Sequence, residues 1–335
     1  MASILSRKRA EIAIDFGTAN MRVIRRDDGI VFDEPSLCCF SRQQGAVAGL
    51  VAAGTEAHAM IDRTPVNLQV KRPLSRGVLQ DIEAAKAVLR YAMARVDSSR
   101  RPRLPHALFG VPADATQAER NAMLTAANDA GFGDVTLVAE PLAAAMGAGL
   151  PVGDPAGSMI IECGAGTTEV AVFSLGGLCV SGSVRIGGAA LDRAIADHVH
   201  FRHKFLIGDL TAERLKLDYV LRRRSGIADE AEIIRIRGRC LRSGLPKSIE
   251  IRLSELDRIV EKHVQQIVRV VRDVLGRTAP ELSQDIHDRG VMLTGGGSLT
   301  PLMSEMIAQA TGLRIEVAAQ PSICVAQGLH RILAE

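Results

Sequence analysis

The residues best placed to do chemistry lie between Ser158 and Gly182, SMIIECGAGTTEVAVFSLGGLCVSG. An apolar run ends in a carboxylate, Glu162. A tight Gly164-Ala165-Gly166 turn and two threonines, Thr167 and Thr168, follow, then an alternating apolar return. A similar phrase stands near the N-terminus, EIAIDFGTANMRVI, with Asp15 ending the first strand and Gly17-Thr18 in the turn. A third turn, Gly295-Gly296-Gly297, follows the apolar Val291-Met292-Leu293. Glycine turns let backbone N–H groups converge on phosphate oxygens, and threonine hydroxyls add donors. Carboxylates cannot bind phosphate, but they can hold Mg2+ through its water shell. One such hairpin alone reads equally as a plain β-turn. Two with matching carboxylates, plus a third glycine turn, point to a nucleotide gripped from two related halves. No GxxxxGK[ST] occurs, which excludes a P-loop, and no GxGxxG follows the first strand as a dinucleotide fold requires.

The elements that must position these residues alternate between strand and helix, the pattern of an α/β layered domain. Residues 10–40 read as three strands, counting the Asp15 hairpin as the first, and residues 41–74 as a small mobile insertion. Apolar spacing from Ile82 to Met93 predicts a helix, and Leu108–Val111 a short buried strand. Thr116, with Glu119 three residues on and Gly131 as the stop, brackets another helix. Val135–Val138 leads through Glu140-Pro141 into an alanine-rich helix, Leu142 to Ala148. Residues 185–245 read as a charged helical insertion with a polar strand near Ile233 to Arg239; 252–278 form a long helix, and Leu302 to Thr311 a further one. No linker separates the halves.

At 335 residues, 47% apolar and 24% charged, the chain has room for two domains of ordinary size. The net charge of +3 does not argue for nucleic acid. Six cysteines without CxxC spacing read as buried free thiols in a reducing compartment. His198, His200 and His203 read as a solvated helix face, since no carboxylate or cysteine frames them. The leader MASILSRKRA sets Ile4 and Leu5 beside three basic residues, which reads either as a membrane-surface foot or as a frayed charged end. No uncharged run is long enough to span a bilayer.

Seven stretches together resemble the actin/hexokinase/heat-shock-chaperone superfamily, and within it the MreB family of bacterial actin homologues. They are IDFGTAN (14–20), GIVFDEPS (29–36), RPLSRGVLQD (72–81), AEPLAAAMGAGLP (139–151), GTTEVAVFSLGG (166–177), RGRCLRSGLPKS (237–248) and LTGGGSL (293–299), in order along nearly the whole chain. The resemblance implies the actin-like ATPase fold: two related α/β domains flanking a nucleotide cleft, each with an inserted subdomain. Residues 1–32, 75–143 and 320–335 would form subdomain IA and 33–74 subdomain IB; 144–182 with 244–319 would form IIA, and 183–243 IIB. It implies ATP or ADP with Mg2+. It also implies filaments of the protein itself on the inner face of the bacterial cell membrane, and membrane-protein partners in cell-wall synthesis and morphogenesis. By the same resemblance Asp15, Gly17, Thr18, Ala19 and Asn20 fall on the first phosphate loop. Glu162, Gly164, Ala165, Gly166, Thr167 and Thr168 fall on the second, with Gly188 after it. Asp15 and Glu162 would hold Mg2+ through water. Glu140 matches the carboxylate that activates the attacking water, and Thr167 the hydroxyl that assists it; on residues alone Glu140 is a helix-start charge. Glu213 and Lys216 match ribose and adenine contacts, and on residues alone are an i, i+3 surface pair. Gly295, Gly296 and Gly297 match the adenosine loop.

Three features depart from the family pattern. The second loop carries Glu162 and Ala165 where the family has Asp and Gly, and Ala189-Ala190 stand where it has Asp-Glu. One extra methylene moves a carboxylate by on the order of 1 Å, which costs about a hundredfold at a positioned site. An alanine is awkward where a turn needs positive φ. A slow ATPase is therefore expected. The loop 97–105 carries Arg100, Arg101 and Arg103 where several relatives are apolar, so it reads either as an electrostatic lipid contact or as a solvated loop. The leading function is a filament-forming cytoskeletal ATPase. The alternatives are a non-polymerising nucleotide switch or scaffold, and a small-molecule kinase of the same superfamily.

Overall fold

The structure is a computed structural model that describes residues 10–42, 49–96, 106–225 and 233–335. The N-terminal leader and the basic loop 97–105 lie outside the described residues. The chain divides into two compact units, residues 1–60, 65–151 and 323–335 in the first, and 61–64 with 152–322 in the second.

The first unit opens with three strands, β1 (Ile12–Phe16), β2 (Asn20–Arg25) and β3 (Gly29–Pro35). The expected insertion 41–74 is built around a small sheet: β4 (Cys38–Ser41) pairs with both β5 (Leu50–Ala53) and β6 (Leu68–Lys71), beside the short helix α1 (Gly54–His58). A two-stranded hairpin, β7 (Leu74–Ser75) with β8 (Val78–Leu79), leads to α2 (Ile82–Val96), β9 (Ala107–Val111), α3 (Gln117–Ala130), β10 (Val135–Ala139) and α4 (Glu140–Gly147). Thr116 caps α3 as expected: its hydroxyl accepts the Glu119 N–H at 3.2 Å, and the Glu119 carboxylate accepts the Thr116 N–H at 2.7 Å. Gly131 ends the helix at φ 114°.

The second unit runs β11 (Ser158–Cys163), β12 (Thr168–Ser174), β13 (Gly177–Val184), α5 (Gly188–His203), β14 (Phe205–Leu206), α6 (Asp209–Arg224), β15 (Ile233–Cys240), β16 (Pro246–Arg252), α7 (Leu253–Arg277), α8 (Pro280–Arg289), β17 (Val291–Thr294), α9 (Met303–Thr311) and β18 (Ile315–Val317). Along α7 the residues Leu253, Leu256, Val260, Val264, Ile267, Val271 and Val274 are buried, an i, i+3, i+4 stripe that faces the core. The chain then returns to the first unit as α10 (Cys324–Ala334).

The two units repeat one design. In the first the strand order is β10-β9-β1-β2-β3; in the second it is β18-β17-β11-β12-β13. In both, the first three strands of the unit form an antiparallel meander, and two later strands add in parallel beside the first. β1 therefore corresponds to β11, and the turn after β1 to the turn after β11. The first unit keeps α4 whole and holds the chain as far as residue 151 before α10 rejoins it. The reason is close helix packing: a Cβ on Gly328 of α10 would stand 1.7 Å from the Ala143 carbonyl oxygen, and one on Gly147 would stand 1.8 Å from that of Cys324. Only glycines at those crossings let the two backbones touch.

Candidate functional site

Both turns close in the same way. In the first unit the Gly17 N–H donates to the Asn20 carbonyl at 3.0 Å; in the second the Gly164 N–H donates to the Thr167 carbonyl at 2.9 Å. The strand-end carboxylates, Asp15 and Glu162, are each only 6% exposed.

The first loop carries a device that the sequence reading missed. Asp15, Arg22 and Asp33 lie directly opposite one another across β1, β2 and β3 and so share one face of the sheet. Arg22 Nη1 donates to Asp15 Oδ2 at 3.0 Å and its Nε to Asp33 Oδ2 at 3.0 Å, while Asn20 Nδ2 donates to Asp33 Oδ1 at 2.8 Å. Burial pushes the Asp15 carboxyl above its ordinary value, against the pull of Arg22. Burial also works against the Arg22 charge, but Asp15 and Asp33 outweigh it and raise the guanidinium. One of the two Asp15 oxygens thus engages a cation supplied by the chain. Thr18 is held in the same loop, its hydroxyl accepting the Gly77 N–H at 3.2 Å. Glu140 is the first residue of α4, at the end of β10; Gly110 on the neighbouring β9 leaves room for it, since a Cβ there would stand 3.3 Å from Glu140 Cγ.

In the second unit the ladder at the matching height is Glu162, Glu169 and Ser183 across β11, β12 and β13, so a carboxylate stands where the first unit has Arg22. Both Glu162 oxygens lie 3.5 Å from where a Cβ on Gly164 would be, which places the longer carboxylate over the turn. Ala165 is accommodated without strain because its φ is not positive, in contrast to the awkward turn anticipated. The loop docks on the start of α5: the Gly188 N–H donates to the Gly164 carbonyl at 3.0 Å and the Ala189 N–H to that of Ala165 at 2.9 Å. Thr168 Oγ1 donates to the Ile186 carbonyl at 2.8 Å, and Thr167 is buried beside it in sequence.

Lys216 is half-buried on α6. Its Nζ reaches Asp192 Oδ2 on α5 at 2.9 Å and the Gly188 carbonyl at 3.4 Å, which joins the helix carrying Glu213 and Lys216 to the loop side of α5. The pair is therefore not a simple surface pair, and Asp192 is a second residue that sequence spacing did not reveal. Gly295 sits at φ +80° with its Cα against β11; a Cβ there would be 2.2 Å from the Cys163 carbonyl oxygen. This contact places the turn Gly295-Gly296-Gly297 beside the second loop. Within the second unit the loop 164–168, Gly188, Lys216 and the turn 295–297 thus come together; within the first unit Asp15 stands near the end of β1, Gly17, Thr18 and Ala19 form the turn, and Asn20 opens β2.

A family model described as MreB/Mbl protein matches residues 9–335. The chain belongs to the MreB/Mbl family. Its fold is actin-like. Over 324 residues it is 40% identical to the cell shape-determining protein MreB of Escherichia coli (strain K12), covering 95% of this chain and 91% of that protein. It is 37% identical over 320 residues to the cell shape-determining protein Mbl of Bacillus subtilis (strain 168), covering 95% and 94%. Crystal structures of MreB5 of Spiroplasma citri bound to ADP and to AMPPNP superpose with a TM-score of 0.85, at 29% and 30% identity, each covering 96% of this chain and 95% of the other.

Among the described residues the six cysteines are free; Cys38, Cys39, Cys163 and Cys324 are buried, Cys240 is half-buried and Cys179 exposed. No described helix is long and apolar enough to cross a membrane.

Proposed function

We propose that this MreB/Mbl protein is an ATP-binding cytoskeletal protein that polymerises into filaments on the inner face of the cell membrane and organises wall synthesis and cell shape. The observation that carries the reading is the repeated hairpin: two units of matching strand order each present a Gly-closed turn and a buried strand-end carboxylate at the same place. Nucleotide in the MreB5 crystals and the cell-shape names of the E. coli and B. subtilis relatives support it.

In this reading the backbone N–H groups of residues 17–20 and 164–168 take the phosphates. Gly295–Gly297, Glu213 and Lys216 take the nucleoside, Glu140 orients the attacking water, and Thr167 assists it. The donor sets differ in how well they suit Mg2+. Glu162 faces Glu169 across the strand pair, and two carboxylates on one buried face favour a hard divalent cation. Asp15 is already partnered by Arg22 and suits the ion less. Bound there, Mg2+ would neutralise phosphate charge. The Arg22 pairing and the alanines at 189 and 190 leave fewer carboxylates free beside the phosphates, which favours slow turnover. They also give weight to a second reading, a nucleotide-dependent scaffold that does not polymerise.

Contact with membrane is assigned to the basic residues Arg7, Lys8, Arg9, Arg100, Arg101 and Arg103, each worth about 1 kcal/mol near anionic lipid. Calorimetric titration of the full chain with ATP and ADP, with and without Mg2+, tests the site. Binding of either nucleotide that is weakened at least about tenfold by Gly295→Ala supports it. Absence of binding at millimolar nucleotide contradicts it. Pelleting with anionic vesicles that is unchanged by high salt contradicts the membrane assignment.

A further inference from the structure

The histidines of α5 do not form the purely solvated face expected of them. A carboxylate does frame them, and it arrives from 52 residues away in sequence. His198 Nε2 and His203 Nε2 each stand 2.9 Å from the same atom, Oε2 of Glu255 in the first turn of α7. The three candidate ligand atoms all lie within 4.8 Å of one another. The other Glu255 oxygen receives the Arg252 N–H at 3.4 Å, which helps to fix the carboxylate. The side chains are 26%, 23% and 25% exposed, so the cluster is held by packing yet open to an entering ion. His200 is separate, its ring lying edge-on to Phe201.

We propose that His198, His203 and Glu255 form a divalent transition-metal site, selective for Zn2+ over Mg2+ and Ca2+, with solvent in the fourth position. Two imidazole nitrogens and one carboxylate oxygen are a borderline donor set that suits Zn2+ and not the all-oxygen preference of the hard cations. A tetrahedral ion with bonds of about 2.0–2.2 Å needs ligand atoms roughly 3.3 Å apart. From contacts of 2.9 Å the two nitrogens need to withdraw from Oε2 by on the order of 0.4 Å, and from within 4.8 Å of each other to close by up to roughly 1.5 Å, a movement that side-chain rotation supplies. Without metal the carboxylate oxygen accepts hydrogen bonds from both rings; the ion would replace those two protons. His203 also ends α5, where the helix dipole favours a cation. The bound ion would tie the C-terminal end of α5 to the start of α7. The N-terminal end of α5 is where Gly188 and Ala189 hold the second glycine loop.

The test uses the full chain, stripped with chelator and titrated calorimetrically with ZnCl2, with Co2+ as a spectroscopic probe. One equivalent should bind with a Kd of about 1–10 μM or below and raise the melting temperature. Co2+ should give the intense visible absorption of a four-coordinate site. His198→Ala and His203→Ala should each weaken binding at least about tenfold, and His200→Ala should leave it unchanged. His203→Gln, at the helix end, serves if either alanine variant fails to fold. Absence of Zn2+ binding at about 1 mM overturns the assignment. Binding that survives the His198 and His203 changes, or that instead follows Cys179→Ser and Cys240→Ser, overturns it as well. None of these outcomes depends on nucleotide.

Discussion

Arg22 Nη1 lies 3.0 Å from Oδ2 of Asp15, and the two residues face each other directly across the β1–β2 hairpin that closes the first glycine loop. A half-buried guanidinium thus sits on the carboxylate that the family resemblance assigns to Mg2+. Removing one partner of a buried pair leaves the other uncompensated, which costs about 3–5 kcal/mol. Arg22 and Asp15 have side chains only 14% and 8% exposed, and Asp33 adds a second acid to the same ladder. Arg22→Leu is therefore expected to lower unfolding stability by roughly 3 kcal/mol in urea titration. A change below about 0.5 kcal/mol would show that the pair is incidental.

The glycine turn of the second unit makes a sharp contrast between neighbours. A Cβ at Gly295 would meet the Cys163 carbonyl in a positive-φ conformation, whereas one at Gly296 meets nothing within 4 Å. Gly295→Ala should cost at least about 2 kcal/mol, and Gly296→Ala should stay within about 0.5 kcal/mol. Thermal unfolding of the two variants side by side checks this. Equal effects would mean that the turn is not held against β11.

Helix α3 gives a calibrated local test. Thr116→Ala removes the hydroxyl that accepts the Glu119 N–H and should cost about 1 kcal/mol. Thr116→Asn should recover most of it, because asparagine caps as well as threonine does. An alanine variant as stable as the parent would remove the capping box from the account of this helix.

His263 on α7 is buried and carries a pKa pushed down to about 4, first by burial and then by the Lys216 charge. The unfolded chain takes up this proton near the ordinary value of about 6.5, so between those values the unfolded state binds more protons. The sign follows: stability rises with pH across the window, and His263 destabilises the fold as pH falls from about 6.5 towards 4, by about 3 kcal/mol in all. His263→Leu should flatten the pH dependence of unfolding in that window. A parallel downward slope in the variant would assign the dependence to other groups.

How much of this was readable in the residues differs from element to element. Thr116, Glu119 and Gly131 gave α3 its ends because capping chemistry is local, and the glycine-threonine turns were visible because two of them repeat. Arg22 was also within reach. Once the four-residue turn Gly17–Asn20 is accepted, counting back along the returning strand sets residue 22 opposite residue 15. Asp192 and Glu255 were not, because each meets its partner through helix packing: Asp192 reaches Lys216 across α5 and α6, and Glu255 reaches His198 and His203 across α5 and α7. The same distance effect explains α4. Its alanines announced a helix, but only α10, far along the chain, shows why they are small. Ala165 looked strained because a glycine turn suggested positive φ, and the actual turn reverses the chain without it.

The most direct measurement is sedimentation with electron microscopy in ATP, ADP and no nucleotide, with phosphate release assayed in the same tubes. ATP-dependent filaments with slow phosphate release are expected, and Gly295→Ala should abolish both. Nucleotide binding with no filaments at high protein concentration would contradict the cytoskeletal reading and leave a monomeric switch in its place.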